Sequence, residues 1–288
     1  MAAADSVFEY ILTNFRESLT KMLMPLVYVF AASKMEAQPA LVLASGNPAV
    51  AQGSTGVVIE RDGDRFAVIV TGMGTGNAEE TADAALGLAS GDAPGRSRLA
   101  GRPDAILVIG LCGGLSKNLP IQRIVVYKEC LTASSNKAPP LQCSPSLTQG
   151  VLRILQQHGF AAETTVGITS PRIATTKGDR LTLAQSGADA VDMESYPILV
   201  AAAKAGIPTV VLRVVSDSLD TQMPDFNSAL DAKGALEGRK ALWIALRSPL
   251  ETYRLLTSNK RAIEHLAPAV KLILESDCFS RTQDTKEY

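Results

Sequence analysis

The sequence predicts an α/β fold in which a mostly parallel sheet carries helices on both faces. Three observations lead there. Five short apolar runs, most of them rich in β-branched residues, have the length and composition of buried strands: LVYVFAA (26–32), FAVIVTG (66–72), AILVIGL (105–111), RIVVY (123–127) and TVVLRVV (209–215). Segments with helical periodicity alternate with these runs, the order expected of crossover connections between parallel strands. The helical segments also carry start and stop signals.

Taken in order, the first 24 residues read as a helical extension, with Val7, Phe8, Ile11, Leu12, Phe15 and Leu19 at helical spacing. The run MLMPLVYVFAAS after Lys21 has the apolar character of a signal-peptide core. Asp5, Glu9 and Glu17 precede it, however, and it is too short to span a bilayer, so the expectation is a helix followed by the first strand and no stable membrane insertion. GVVIERDGDRFAVIV (56–70) reads as a hairpin turning at Asp62-Gly63-Asp64. NAEETADAALGLAS (77–90) has an Asn cap and an acidic first turn. The Gly- and Pro-rich stretches 91–104 and 134–146 are loops. SPSLTQGVLRILQQHG (144–159) runs from a Ser cap to a closing Gly, and SYPILVAAAKAG (195–206) also closes on Gly. Residues 228–276 read as helices only, interrupted at Ser248-Pro249, and a polar tail follows. The chain is thus expected to be one domain: the extension 1–24, an α/β core 25–227 and a helical C-terminal segment 228–288.

With 46% hydrophobic and 20% charged residues, the composition is that of a globular protein. A net charge of −1 gives no reason to expect a nucleic-acid partner. The four cysteines, Cys112, Cys130, Cys143 and Cys278, have no metal or redox spacing and read as reduced thiols of a cytoplasmic protein. His158 and His265 are the only histidines, which argues against a histidine-centred zinc site or a Ser-His-Asp triad. No metal or organic cofactor is expected.

Chemistry concentrates at the ends of the apolar runs. Asp192, Met193 and Glu194 follow one run; Arg213, Ser216 and Asp217 end another. Carboxylates at the C-terminal ends of strands in one sheet converge on the crevice where open α/β sheets bind ligands. Arg213, inside TVVLRVV, must find a carboxylate or an anion. Glu36, just past the first strand, belongs to the same sheet end. The bland readings are helix-capping carboxylates and a solvated helix residue. The turn TGMGTGNAEE (71–80) could present amides to an anion, but Gly72-x-Gly74-x-Gly76 is not the dinucleotide spacing. A tight turn without a ligand explains it equally well. GLCGGLS (110–116) is a second glycine-rich strand end.

VDMES (191–195) followed by GIPTVVLRVVSD (206–217) resembles the nucleoside phosphorylase and nucleosidase superfamily. TGMGTGNAEETADAAL (71–86) and DAILVIGLCGGLS (104–116) resemble that family's other signature segments, in the same order. ITSPRIATTKGDRLTLAQSGADAVDMES (168–195), SPLETYRLL and SNKRAIEHLAPAV resemble the hopanoid-associated phosphorylases within it. The resemblance implies a three-layer α/β/α domain with a mixed, partly closed sheet, a homo-oligomer, and cleavage of the N-glycosidic bond of a nucleoside. It implies that Glu194 grips the ribose hydroxyls and Met193 packs on sugar and base. Asp217 would protonate the purine, oriented by Ser216, with Ile173, Ala174 and Asp192 around the base. An aspartate at 217 suits an adenine-type base. A free aspartate has a pKa near 3.9, so this role needs burial or a nearby carboxylate to raise it.

The nucleophile stays open in the sequence. The arginine and serine with which related phosphorylases bind phosphate are replaced by Val108 and Leu111. An anion site would be left with Gly74, Thr75, Gly110 and Arg213. Glu36 and Arg213 match the residues that hold water in the nucleosidases. Phosphate as co-substrate, and an apolar 5′ substituent such as that of adenosylhopane, follow from the subfamily resemblance. Two other readings remain: a non-catalytic nucleoside-binding member of the fold, and a nucleotide-dependent oxidoreductase using the 72–76 turn.

Overall fold

A computed structural model describes residues 25–43, 49–50, 56–61, 64–88, 101–134 and 138–279. The expected N-terminal helix and polar tail lie outside these residues. In order the elements are β1 (Leu26–Ala31), α1 (Lys34–Leu41), β2 (Ala49–Val50), β3 (Gly56–Arg61), β4 (Asp64–Val70), α2 (Thr75–Leu86), β5 (Ala105–Gly114), β6 (Ile124–Thr132), β7 (Leu141–Gln142), α3 (Pro145–Gln157), β8 (Ala162–Thr169), α4 (Lys177–Ala184), β9 (Ala190–Asp192), α5 (Ser195–Ala205), β10 (Thr209–Asp217), a 3₁₀ turn (Phe226–Ala229), α6 (Gly238–Arg247) and α7 (Pro249–Leu274).

The strands form one sheet, and part of it closes on itself. β10, β6, β8, β9 and β5 pair in that order, and β5 pairs again with β10. The other edge of β5 leads through β1, β4 and β3 to β2. The sheet is mixed rather than mostly parallel: β1–β4, β1–β5, β5–β10, β6–β8 and β8–β9 are parallel, while β3–β4, β6–β10 and β5–β9 are antiparallel. Helices separate only some consecutive strands; β5 runs to β6, and β3 to β4, through short links that cannot make a parallel crossover.

β1 shows how the sequence builds layers. Val27, Val29 and Ala31 face one core with α1, α3 and α7; Leu26, Tyr28 and Phe30 face the other with α2 and α5. All six residues of β1 are buried, as expected for a strand covered on both sides. A third, smaller cluster of Leu115, Ile168, Ala174, Ala188 and Val191 sits under α4. The C-terminal half of α7 belongs to the first core through Ala262, Leu266, Ala269, Val270 and Ile273.

Several local expectations shift. α2 begins at Thr75 on a Gly74 N-cap, two residues before the expected Asn77, whose amide instead donates to Met73 O at 2.8 Å. Strand β8 went unread because its first half, AETT, is largely polar, with Glu163 and Thr164 both exposed. Residues 230–237 are not helical and contain a Leu230–Leu236 bridge. The Ser144 cap, the Gly206 stop and the break before Pro249 stand where the sequence puts them. Among the described residues no helix is long and apolar enough to cross a membrane, and no group of three histidine, cysteine, aspartate or glutamate residues could hold a metal ion.

Candidate active site

The C-terminal end of β5 is the floor of the site. Its glycines make room for two sets of charged side chains. A Cβ on Gly110 would collide with Arg213 Nη1 and lie 2.7 Å from Glu36 Oε1. A Cβ on Gly113 would lie 2.9 Å from both Arg180 Nη1 and Asp217 Oδ1. The strand thus separates a carboxylate-rich cluster from a single ion pair.

The cluster joins the ends of β1, β9 and β10. Glu36 is the third residue of α1, directly after β1. Ser33 caps that helix, accepting from Glu36 N at 3.2 Å, and its hydroxyl donates to Glu36 Oε2 at 3.0 Å. Glu36 Oε1 accepts from Leu111 N at 2.9 Å. The carboxylate therefore points over the β5 end, and it is buried. Arg213 enters from β10, opposite Gly110 in register. Its Nη2 donates to Ser195 Oγ at 2.8 Å and its Nη1 to Leu111 O at 3.4 Å. Its Nε faces Asp192 Oδ2 at 3.5 Å, an ion pair without hydrogen-bond geometry.

Asp192 hydrogen-bonds within the protein through one carboxylate oxygen, while its Oδ2 has only the ion pair with Arg213. Its Oδ1 accepts from Thr169 Oγ1 at 2.8 Å and from the amides of Glu194 and Ser195 at 3.0 Å each. That makes it an anchor for the start of α5 and for Arg213. Met193 is half-buried between the two acids. Glu194 Oε1 accepts from Gly74 N at 2.9 Å. Gly74 itself is pressed against the 231–235 loop, with no room for a side chain beside Lys233 O and Gly234. The next glycine amide, that of Gly76, donates to Lys233 O at 3.1 Å. The turn proposed as an anion cradle therefore already spends the Gly74 amide on a carboxylate.

Electrostatics follow from this crowding of three carboxylates around one guanidinium. Burial pushes the Glu194 carboxyl up to about 7; Arg213 pulls it down, Glu36 and Asp192 push it further up, and the Gly74 amide pulls it down. Burial works against the charge on Arg213, but Asp192, then Glu194, Tyr127 and Glu36, outweigh it and hold the guanidinium above its ordinary value. The four cysteines are free and buried, and burial raises every thiol, Cys143 to about 12 and Cys278 to about 11. None is a thiolate nucleophile near neutrality.

Asp217 lies on the other side of Gly113. Ser216 Oγ donates to its Oδ2 at 2.7 Å. Its Oδ1 is ion-paired with Arg180 Nη1, and both side chains are at least nine-tenths buried. Of the two features this role called for, burial or a nearby carboxylate, the structure shows the first; the charged neighbour is a guanidinium. Sequence reading missed Arg180, although the Thr176-x-x-Asp179 capping box that fixes α4, and with it the arginine's direction, was legible. It also missed Thr169, Ser195 and Asn227. Asn227 engages both backbone groups of Ile173, accepting from its N–H at 2.9 Å and donating to its C=O at 3.0 Å. Ile173 and Ala174 line a cavity of about 540 Å³, and Asp217 lines a separate one of about 630 Å³ against α7. Val108 is buried in β5, and Leu111 serves the cluster through its backbone only.

Solved structures with this fold include futalosine hydrolase of Helicobacter pylori strain 26695 (TM-score 0.66, 16% identity, covering 88% of this chain and 97% of that one). A 5′-methylthioadenosine/S-adenosylhomocysteine nucleosidase of Helicobacter pylori, crystallised with a pyrrolidine-based compound, is equally similar (0.66, 16%, 87% and 97%). The nucleosidase of Colwellia psychrerythraea 34H in complex with adenine follows (0.64, 16%, 87% and 95%). No curated protein sequence matches the chain. The family model described as the phosphorylase superfamily matches residues 29–240, a span from β1 into α6 that contains every charged group of the site. The chain belongs to the phosphorylase superfamily.

Proposed function

We propose that the protein cleaves the N-glycosidic bond of a purine nucleoside, with water as the attacking group. The observation that carries this reading is the use of the two amides beside the cluster. Leu111 N–H donates to Glu36 and Gly74 N–H to Glu194. A phosphate needs such donors and bears one to two negative charges; here it would displace or face two carboxylates. A water molecule meets no such repulsion, and a carboxylate beside it can accept its proton. The absence of the phosphorylase arginine and serine at Val108 and Leu111 agrees.

The roles then divide by charge. Cleavage of an N-ribosidic bond leaves positive charge on the sugar and negative charge on the departing base. In this reading the Glu194 carboxylate accepts hydrogen bonds from ribose hydroxyls and stabilises the sugar's positive charge. Glu36 positions and deprotonates the water, while Arg213 fixes the direction of the cluster through Ser195 and Asp192. Asp217, after taking up a proton from solvent, passes it to the base, and Arg180 stabilises the carboxylate left behind. An adenine-type base and a substrate with an apolar 5′ substituent remain the preferred specificity, supported by the aspartate at 217 and by the fold shared with adenosine-derivative nucleosidases.

The test is release of free base from adenosine, inosine, methylthioadenosine and adenosine carrying an apolar 5′ chain. Adenine release from at least one adenine nucleoside is expected. Binding of these nucleosides with no base released from any would instead favour a non-catalytic nucleoside-binding protein.

A further inference from the structure

α6 and the first two turns of α7 carry apolar side chains that the described chain leaves uncovered. Leu242, Trp243, Leu246, Leu250, Tyr253 and Leu256 are each more than half exposed, and α6 has no buried residue at all. Within α6, Leu242 and Trp243 each lie three or four positions before Leu246, and within α7, Leu250, Tyr253 and Leu256 recur every three, so each helix presents its own apolar face. A cluster of this size is unusual on a surface that meets only water. The same segment, 238–261, holds six basic residues, Arg239, Lys240, Arg247, Arg254, Lys260 and Arg261, against one acidic residue, Glu251. The segment thus has an excess of five positive charges in a chain whose net charge is −1, although Lys240 also pairs with Glu237 just before it at 2.8 Å. Arg247 lies over the Trp243 ring, 3.3 Å from its centroid.

We propose that the α6–α7 elbow docks on the surface of an anionic lipid bilayer. An amphipathic helix with tryptophan and leucine on one side and arginine and lysine beside them is built for the headgroup boundary: the apolar face enters the acyl region, the rings sit at the interface, and the cations meet anionic headgroups. A second copy of the chain is a poorer occupant, because a two-fold interface sets the same patch against itself and opposes cation to cation. The surface is continuous with the site. Tyr253, Arg254 and Ser258 of α7 line the 630 Å³ cavity that contains Asp217, and Ser258 Oγ donates to Ser216 O. Docking would set the mouth of this cavity beside the lipid headgroups. The relevance to substrate entry rests on the nucleoside-cleavage reading above; the docking itself does not.

Trp243 is the only tryptophan in the chain, so its emission reports on this elbow alone. The full-length protein is titrated with phosphatidylcholine vesicles, with and without phosphatidylglycerol, and binding is also read by co-sedimentation. The expected result is a blue shift and pelleting with the anionic vesicles, weakened by salt. Leu246→Glu should weaken partition by about tenfold or more, and Arg239→Gln and Lys240→Gln by about fivefold each. If Leu246→Glu does not fold, the two charge variants and the salt dependence of the unaltered protein decide. No shift and no pelleting with either vesicle overturns the proposal. So does light scattering that shows an oligomer broken by Leu246→Glu, which assigns the patch to a second copy. A Trp243 emission already blue in vesicle-free protein, and insensitive to vesicles, assigns it to another part of the chain. Absence of docking by the unaltered protein, with base release intact, overturns this inference alone.

Discussion

Glu194 has the feature that pH can read. With its carboxyl pushed up to about 7, the free enzyme holds a proton there that must leave before the group can accept from ribose. Catalytic efficiency, kcat/KM, should therefore rise with pH through about 7, and Glu194→Gln should abolish that limb. The same shift acts on stability with the opposite trend. The folded pKa lies above the ordinary value of 4.5, so the folded state keeps a proton that the unfolded chain releases. This contribution is fully present below about pH 4.5 and is lost as pH rises through about 7. Melting temperatures of Glu194→Gln and the unaltered protein should thus diverge in the variant's favour between pH 5 and pH 8. Asp217→Asn should cut turnover by about 10²-fold or more, the loss expected when a general acid is removed; unchanged base release would remove Asp217 from that role. The acidic and arginine positions themselves, 36, 192, 194, 213 and 217, were legible because charge at the end of an apolar run demands a partner. Which partner each would find was not: Asp192 and Asp217 both meet arginines, and Arg180 lies inside a helix whose sequence looks like an ordinary surface segment.

β5 does the work at the next scale. Its glycines were visible in the sequence as a motif, but spacing alone could not say whether they served a bound anion or their own neighbours. The structure answers with contacts: Gly110 lies beneath Glu36 and Arg213, and Gly113 beneath Arg180 and Asp217. Gly113→Ala should therefore destabilise the protein by about 1–3 kcal/mol, as overpacking does, and should lower activity as well. Gly238→Ala is the control, since nothing lies within 4 Å of a Cβ there, and its melting temperature should not fall. The Arg180–Asp217 pair makes a sharper case. Replacing Arg180 with methionine leaves the buried Asp217 carboxylate without its counter-charge and should cost about 3–5 kcal/mol, read by urea unfolding. Replacing both residues with apolar ones should recover much of that stability without activity. Strand and helix positions were readable where β-branched runs and caps are strong. β8 and α4 escaped because they lack a regular apolar pattern: the first half of β8 is largely polar, and the buried residue of α4 is Arg180.

At the scale of the whole molecule, closure of the sheet is what assembles the site. β10 pairs with β5 and β6, and β9 bridges β5 and β8, so the ends of β1, β5, β9 and β10 meet at one place. Alternation of strands and helices foretold α/β layering, but not which strands would pair antiparallel, because that depends on connections whose course no local pattern encodes. The mixed, partly closed sheet came from the resemblance and agrees with the pairing seen. Residues distant in sequence complete the site: the 231–235 loop braces Gly74, and α7 reaches Ser216. The central claim is that two carboxylates, Glu36 and Glu194, hold the donors an anionic nucleophile would need, leaving water to attack. The direct measurement is the sugar product from a cleaved adenine nucleoside, with and without inorganic phosphate. Free ribose or 5′-substituted ribose, formed at a rate phosphate does not raise, is the predicted result. A sugar 1-phosphate whose formation requires phosphate would contradict it.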